Sequence, residues 1–180
     1  MYKNIFKPIL DIVFSILLII ILFPLMIIIS IILLFDIGCP IIFKQTRTGK
    51  NKKAFTMYKF RTMKDIDGDY YLKTTKFTRF LRNFGLDEIP QLFNILKQDM
   101  SFVGPRPFIV DEKLPTKPKK IIYSVLPGVT GLASAKGRRL ITHQKRLEYD
   151  YKYIKNMNIF LDIKIIISTI FVLIKQNIVR

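Results

Sequence analysis

The stretch LDEIPQLFNILKQDMSFVGPRP, residues 86–107, decides the fold of this chain. Its apolar residues recur at i, i+3, i+4 and i+7, a spacing that predicts a helix with one apolar face. These residues are Ile89, Leu92, Phe93 and Leu96. Pro90 is tolerated because, in the first turn of a helix, its missing N–H would have had no partner. The helix therefore begins near Asp87 and Glu88, and its apolar face requires a core.

The adjacent carboxylates of Asp87 and Glu88 have two interpretations. One is helix capping, in which the helix dipole stabilises negative charge and keeps a carboxylate ionised, and spacing alone favours it. The other is a nucleophilic or metal-binding pair, with arginines nearby for an anion. Residues 104–107 form a stiff Gly-Pro-Arg-Pro turn that holds the Arg106 guanidinium between two prolines.

Charge and composition restrict the partners of the chain. Thirty Lys and Arg residues against thirteen Asp and Glu give a net charge of +17, which indicates a polyanionic partner: a membrane surface, a phosphorylated substrate or nucleic acid. Half of the residues are hydrophobic, which favours the membrane over nucleic acid. With single Cys39 and His143, an internal disulfide and a multi-histidine site are excluded, so a bound metal must be hard and held by oxygen.

Residues 12–35 form an uncharged run that predicts a membrane segment. Its 24 residues would reach about 36 Å as one helix, enough to cross about 30 Å of hydrocarbon. Lys3 and Lys7 before the run and the basic residues after it all favour the cytoplasm, and a straight span cannot satisfy both ends. Pro24 lies in the middle, where it removes a backbone hydrogen bond and kinks a helix. We therefore favour a re-entrant hairpin over residues 1–36, kinked at Pro24, over a transmembrane helix.

The remaining residues, 37–180, predict a globular part that makes the chain an α/β, membrane-associated (monotopic) protein. Residues 40–46 and 54–63 flank a turn containing Gly and Asn, which indicates a small β-hairpin whose second strand places Lys59 and Arg61 on one face. Amphipathic and apolar helices follow and are suited to a membrane interface. The further segments are a polar loop at 64–75, a basic helix at 76–83, a polar helix at 144–155 and an apolar segment at 159–174.

Several separated motifs resemble those of the bacterial sugar transferases, the monotopic phosphoglycosyl transferases. Besides residues 86–107, they are YKFRTM at 58–63, PGVTGLA at 127–133 and EYDYKYIKNMNIFLDIKI at 148–165. The resemblance runs essentially from the first residues to the last and indicates the short form, in which residues 37–180 are a cytoplasmic or interfacial catalytic domain. It implies that Asp87 and Glu88 have a role beyond capping.

The resemblance implies an enzyme that moves a phosphosugar from a UDP-sugar to undecaprenyl phosphate, or another polyprenyl phosphate, and releases UMP. It implies Mg²⁺ as the cofactor, Asp87 as a nucleophile that forms a covalent phosphosugar intermediate, and Glu88 as its partner near the metal. It also implies that the family's functional basic residues correspond to Lys59, Arg82, Arg106 and Arg138. The family's membrane helix is re-entrant and broken at a Ser-Pro pair, where this chain has Phe23 and Pro24.

The same resemblance implies a location at the bacterial inner membrane, in contact with phospholipids, with the active site on the cytoplasmic face, and it leaves a homodimer open. Residues 134–136 read Ser-Ala-Lys where the family commonly has Gln-Val-Asn, which puts the choice of substrate in doubt. The alternatives are a non-enzymatic basic membrane adaptor, whose charge only holds anionic lipid, and an inactive homologue. Nucleic-acid binding is a distant third, because the apolar anchor opposes it.

Overall fold

The longest element is an apolar helix, α1 (Lys7–Ile37), which follows a short π-helix at Tyr2–Phe6. The structure is a computed structural model and describes residues 1–66, 69–110, 118–137 and 141–178. α1 continues without interruption through Pro24, so the predicted membrane segment is one helix that ends a residue beyond the predicted boundary. The re-entrant course with a kink at Pro24 stays a prediction.

Short strands and helices follow α1. The strands are β1 (Ile42–Thr48), β2 (Ala54–Phe60), β3 (Lys64–Ile66), β4 (Asp69–Lys73), β5 (Ser101–Val103), β6 (Phe108–Ile109) and β7 (Gly128–Thr130). The α-helices are α2 (Lys76–Phe84), α3 (Leu92–Leu96), α4 (Leu132–Gly137), α5 (His143–Lys155) and α6 (Ile159–Ile178). Turns of 3₁₀-helix lie at Lys50–Lys52, Leu86–Gln91 and Lys120–Ser124.

One face of α1 packs on the globular part and the other is exposed. The packed stripe lies on β2, α2 and α3, and its residues are Leu18, Ile19, Leu22, Leu25, Met26, Ile29, Leu33 and Ile37. On the opposite face, Ile21 is 68 % and Phe35 is 85 % exposed. By length and composition, Tyr2–Ile37 is the one helix among the described residues that is suited to cross a membrane. Exposed apolar side chains of α6, such as Phe160 at 80 %, add to the apolar surface of the molecule.

Both ends of α1 are held by polar contacts to the same globular part. At its start, the Lys7 ammonium and the Tyr2 hydroxyl each donate to Oδ2 of Asp162 on α6, at 2.6 Å. At its end, the Arg61 guanidinium donates to the carbonyl oxygens of Ile37 and Gly38, at 2.7 and 2.6 Å. Because helix C-terminal carbonyls lack partners within the helix, this contact caps α1. Arg61 therefore contacts the end of α1, whereas Lys59, which the strand pattern places on the same face, contacts Glu88.

The predicted hairpin is confirmed. β1 and β2 pair antiparallel from Ile42 opposite Phe60 to Thr48 opposite Ala54, and β6 adds to the other edge of β1. The polar stretch predicted as a loop, residues 64–75, instead contains β3 and β4, which pair antiparallel. β5 and β7 form a separate parallel pair. The predicted helices at 76–83 and 144–155 are present as α2 and α5.

The helix predicted over residues 86–96 forms in two parts, and Gly85 directly before it ends α2. Gly85, with a φ of +71°, ends α2 in the left-handed conformation, which favours a residue without a Cβ. A 3₁₀ turn (Leu86–Gln91) with Pro90 inside it follows and leads directly into α3. The carboxylate pair therefore lies on a tight turn. Of the apolar residues after it, Ile89, Leu92 and Ile95 pack under α1, whereas Phe93 and Leu96, which were predicted to share that face, are exposed.

The buried ion pair at the start of α1 generates a prediction. Lys7→Met leaves Asp162 as a buried carboxylate without its cation, and breaking a buried pair costs about 3–5 kcal/mol. We expect a marked fall in the thermal unfolding midpoint in detergent, measured by circular dichroism. Adding Asp162→Asn to Lys7→Met should recover part of the loss. Lys164→Met, the same change at an exposed position of α6, is the control. An equal effect of the two lysine variants would contradict a structural role for the pair.

Candidate active site

A polar cleft of about 190 Å³ lies between the β1–β2 hairpin and the 3₁₀ turn on one side and residues 104–107, residues 128–134 and α5 on the other. It brings together most of the residues that the family resemblance singles out, which are Lys59, Arg82, Asp87, Glu88 and Arg106. Arg138, the other basic residue of that set, lies outside the described residues. The residues converge from separate segments, so their proximity depends on the tertiary fold. Their catalytic and binding roles stay predictions.

Tight backbone geometry places Asp87 and Glu88 at the edge of the cleft. The Glu88 N–H donates to the Gly85 carbonyl oxygen at 3.1 Å, which closes the turn directly after α2. Pro90 and Gln91 are buried beneath the turn, so the carboxylates are on its outer side. The N-cap residue is Gly85, so no side chain caps the turn from that position, and Asp87 and Glu88 both lie in its first turn, as predicted.

The electrostatics of the pair are set by burial and by one lysine. Lys59, from β2, donates to Oε1 of Glu88 at 2.6 Å. Burial, together with the neighbouring Glu88, raises the pKa of Asp87 to about 6, although Lys59 and Arg82 act in the opposite direction. The carboxylate of Asp87 is thus less stabilised than that of a free Asp, although with a pKa of about 6 it is still mostly ionised at neutral pH. A carboxylate with a raised pKa is less stabilised, and hence a stronger nucleophile when ionised.

The Gly-Pro-Arg-Pro turn holds Arg106 at the cleft by a close approach of two backbone segments. The Gly104 N–H donates to the Thr130 carbonyl oxygen and the Gly128 N–H to the Pro105 carbonyl oxygen, both at 2.9 Å. A Cβ added at Gly128 would collide with the backbone nitrogen of Gly104. Because only glycines allow this contact, β5 and β7 pair side by side and Arg106 projects beyond them. Within the described residues, the Arg106 guanidinium has no hydrogen-bond or ion-pair partner.

Three charged residues that the sequence analysis missed also line the cleft: Arg47, Arg146 and Asp150. Arg146 lies over the Phe108 ring, 5.7 Å from its centroid, and its Nη2 is 2.9 Å from Nδ1 of His143. Asp150 is only 1 % exposed. A signal was present in the sequence, since Asp150 falls in phase with the buried Leu147 and Ile154 on α5. A carboxylate on the apolar phase of a helix indicates a paired or functional group.

The acidic residues of the cleft suit a metal shared with a substrate. Among the described residues, no group of three or more His, Cys, Asp or Glu is placed to hold a metal ion. Asp87 and Glu88 nevertheless offer hard oxygen ligands, and Mg²⁺ is commonly bound by one or two carboxylates together with substrate phosphates. These residues therefore fit Mg²⁺ with a phosphorylated ligand present, and metal binding at Asp87 and Glu88 stays a prediction.

A cleft that joins adjacent carboxylates to several cationic side chains is suited to bind an anionic group, and it lies beside a long exposed apolar helix face. The chain belongs to the bacterial sugar transferase family, whose family model matches residues 2–176. This membership confirms the resemblance seen in the motifs and the expectation that the chain is a transferase.

Relatives within the family carry more specific names. The uncharacterized sugar transferase EpsL of Bacillus subtilis is 43 % identical over 141 residues, which are 74 % of this chain and 70 % of that protein. The UDP-glucose:undecaprenyl-phosphate glucose-1-phosphate transferase of Klebsiella pneumoniae is 37 % identical over 186 residues, 93 % of this chain and 40 % of that one. The undecaprenyl-phosphate galactose phosphotransferase of Salmonella typhimurium is 37 % identical over 192 residues, with the same shares. The chain thus spans less than half the length of these two transferases.

The raised pKa of Asp87 predicts a stabilising active-site substitution. Ionisation of Asp87 lowers the free energy of unfolding above about pH 6, the pKa in the folded state. It has no such effect below the pKa of an unfolded Asp, about 4. We expect Asp87→Asn to raise the thermal unfolding midpoint at pH 8, by about 2–4 °C for each kcal/mol of relief, and to have little effect at pH 4. Asp99→Asn, outside the cleft, is the control. A lower midpoint for Asp87→Asn at pH 8 would contradict this account of the site.

Proposed function

We propose that this protein is a phosphoglycosyl transferase that moves a phosphosugar from a UDP-sugar to undecaprenyl phosphate and releases UMP. The observation that carries the proposal is the cleft in which the partly buried Asp87 carboxylate lies among several cations beside an apolar helix surface. The family membership and the names of the two transferases support the same reaction.

The first step forms a bond between Asp87 and the donor. An ionised Oδ of Asp87 attacks the phosphorus that bears the sugar, and the bond from that phosphorus to the bridging oxygen of the diphosphate breaks. UMP leaves with the bond's electron pair, and the phosphosugar remains as an acyl phosphate on Asp87. A carboxylate needs no general base for this attack, because it is already deprotonated above its pKa of about 6.

The cations make attack on an anion feasible. Repulsion between a carboxylate and a diphosphate must be cancelled, and fixed ammonium and guanidinium groups do this most effectively in a site with little water. Lys59 neutralises Glu88 at 2.6 Å, and Arg82 and Arg106 are directed to the same cleft. When bound at Asp87 and Glu88, Mg²⁺ would supply further neutralisation of the phosphate oxygens.

The second step returns the enzyme to its starting state. A phosphate oxygen of undecaprenyl phosphate attacks the same phosphorus, the bond to Asp87 breaks, and the carboxylate is regenerated. An apolar cavity of about 230 Å³ shares Glu88 and Arg106 with the polar cleft. Its other walls are mainly apolar, with Leu18, Leu22, Phe84 and Leu173 contributed by α1, α2 and α6, and the hydroxyl groups of Thr130, Ser134 and Thr169 also line it. We assign this cavity to the first isoprene units of the acceptor, whose phosphate would then lie next to Asp87.

The contacts of α1 support a monotopic arrangement at the cytoplasmic face of the bacterial inner membrane. As a straight helix, α1 is about 46 Å long, longer than about 30 Å of hydrocarbon. Its start contacts Asp162 and its end contacts Arg61, so both ends belong to the globular part. A helix that crossed the bilayer would place its two ends on opposite sides, and both contacts with one globular part could not then form. A re-entrant course, bent at Pro24, would keep both ends on one side and immerse the exposed apolar face among phospholipids.

The function is tested by UMP release from a panel of UDP-sugars, with undecaprenyl phosphate and Mg²⁺, by the purified membrane protein. We expect release with one donor and its loss on addition of a chelator. Asp87→Asn should lower the rate by at least about 10³-fold, because the covalent intermediate cannot form. Asp99→Asn should retain the rate of the wild type. Absence of release from a folded preparation with every donor would favour the adaptor or the inactive homologue.

Arg106→Lys separates the enzyme from a basic membrane adaptor. A planar guanidinium binds phosphate through two parallel hydrogen bonds, which an ammonium cannot reproduce. We expect kcat/KM to fall by about 10–100-fold in Arg106→Lys, while binding to anionic vesicles is unchanged. Arg79→Lys, on an exposed position of α2 outside the cleft, is the matched control. An adaptor predicts that both substitutions are silent.

A further inference from the structure

We propose that Asp150 is a binding residue for hydroxyl groups of the donor, and that its carboxylate accepts hydrogen bonds from the ribose or the sugar of the nucleotide-sugar. The inference rests on the proposed function and extends it to a residue at which neither the motifs nor the family relationship places a role. It assigns the part of the cleft formed by α5 to the uncharged portion of the donor.

The first observation is an acceptor atom without a partner. Asp150 is 1 % exposed, and within the described residues its Oδ2 has no hydrogen bond. An unsatisfied buried acceptor costs about 1–3 kcal/mol, and more when it is charged. Yet Asp150 lines the polar cleft, so a ligand there has access to it. A donor group of a bound ligand would supply the missing hydrogen bond.

The second observation is that the surroundings of Asp150 select a hydroxyl rather than a phosphate. A carboxylate repels a phosphate and accepts from a hydroxyl. The cations around Asp87, which include Lys59 and Arg82, already provide the positions for a diphosphate. Burial raises the pKa of Asp150 to about 7, against the opposite effect of Arg146, which is four residues earlier on α5. Near neutral pH the group is therefore able to accept hydrogen bonds and, when protonated, to donate one.

The third observation is that the position of Asp150 is fixed by rigid neighbours. Arg146 is stacked on the Phe108 ring and contacts His143, so the α5 surface that bears Asp150 is held against β6. Ser134, on α4, lines the same cleft, and α4 packs against α5. A hydroxyl-binding carboxylate at this position places recognition of the donor at the α4–α5 side of the cleft.

The experiment measures nucleotide binding without turnover. Isothermal titration of UMP into the wild type and into Asp150→Asn reports on the ribose. Titration of the UDP-sugars into the Asp87→Asn protein, with and without Asp150→Asn, reports on the sugar. Glu148→Gln is the matched control, since it is the equivalent change on an exposed position of the same helix. Loss of a hydrogen bond to a carboxylate should weaken Kd by about 10–100-fold.

The outcomes distinguish the source of the hydroxyl. Weaker binding of UMP in Asp150→Asn, with 2′-deoxy-UMP bound equally by both proteins, assigns Asp150 to the ribose. Unchanged binding of UMP with weaker binding of a UDP-sugar assigns it to the sugar. The inference is overturned if Asp150→Asn leaves the binding of UMP and of the UDP-sugars unchanged. It is also overturned if Asp150→Asn weakens the binding of undecaprenyl phosphate as much as that of the nucleotides and lowers the unfolding midpoint. Failure of the proposed function is recognised separately, as absence of UMP release by the wild type.

Discussion

The fold depends on α1 being held at both ends while it packs along its length. The Lys7–Asp162 ion pair at 2.6 Å fixes the start of α1, and Arg61 caps its final carbonyls. Between these contacts, the packed stripe of α1 covers α3 and so fixes the 3₁₀ turn that immediately precedes α3. The position of Asp87 thus depends on how the apolar helix α1 is attached to the globular part.

The site itself combines two opposing requirements. In the proposed mechanism the Asp87 carboxylate must be ionised, yet burial and the neighbouring Glu88 favour its protonated form and raise its pKa to about 6. Lys59 resolves the conflict in part, because it neutralises Glu88 directly and Asp87 only from a distance. Asp87 consequently remains ionised at neutral pH, but its charged form is poorly stabilised. In the proposed mechanism, bond formation with phosphorus relieves this destabilisation. Local destabilisation of this kind is expected at catalytic positions.

The sequence was sufficient for the parts of the structure that depend on local pattern. Alternation and turn residues predicted the β1–β2 hairpin, helical spacing predicted α2 and α5, and the motif around Asp87 identified the carboxylate pair. Local pattern failed where tertiary contacts decide. The capping role of Arg61 requires the end of α1 nearby, and Asp150 reaches the cleft only because α5 packs against α4.

The contact between Lys7 and Asp162 also has a consequence for biosynthesis. The two residues are 155 positions apart in the chain. At about 5–20 residues per second, a ribosome adds the second partner about 8–30 s after the first. During that interval α1 lacks the contact that fixes its start, and its packed stripe is not yet held at both ends. The start of the helix can therefore be fixed only late, when α6 has been translated and can dock.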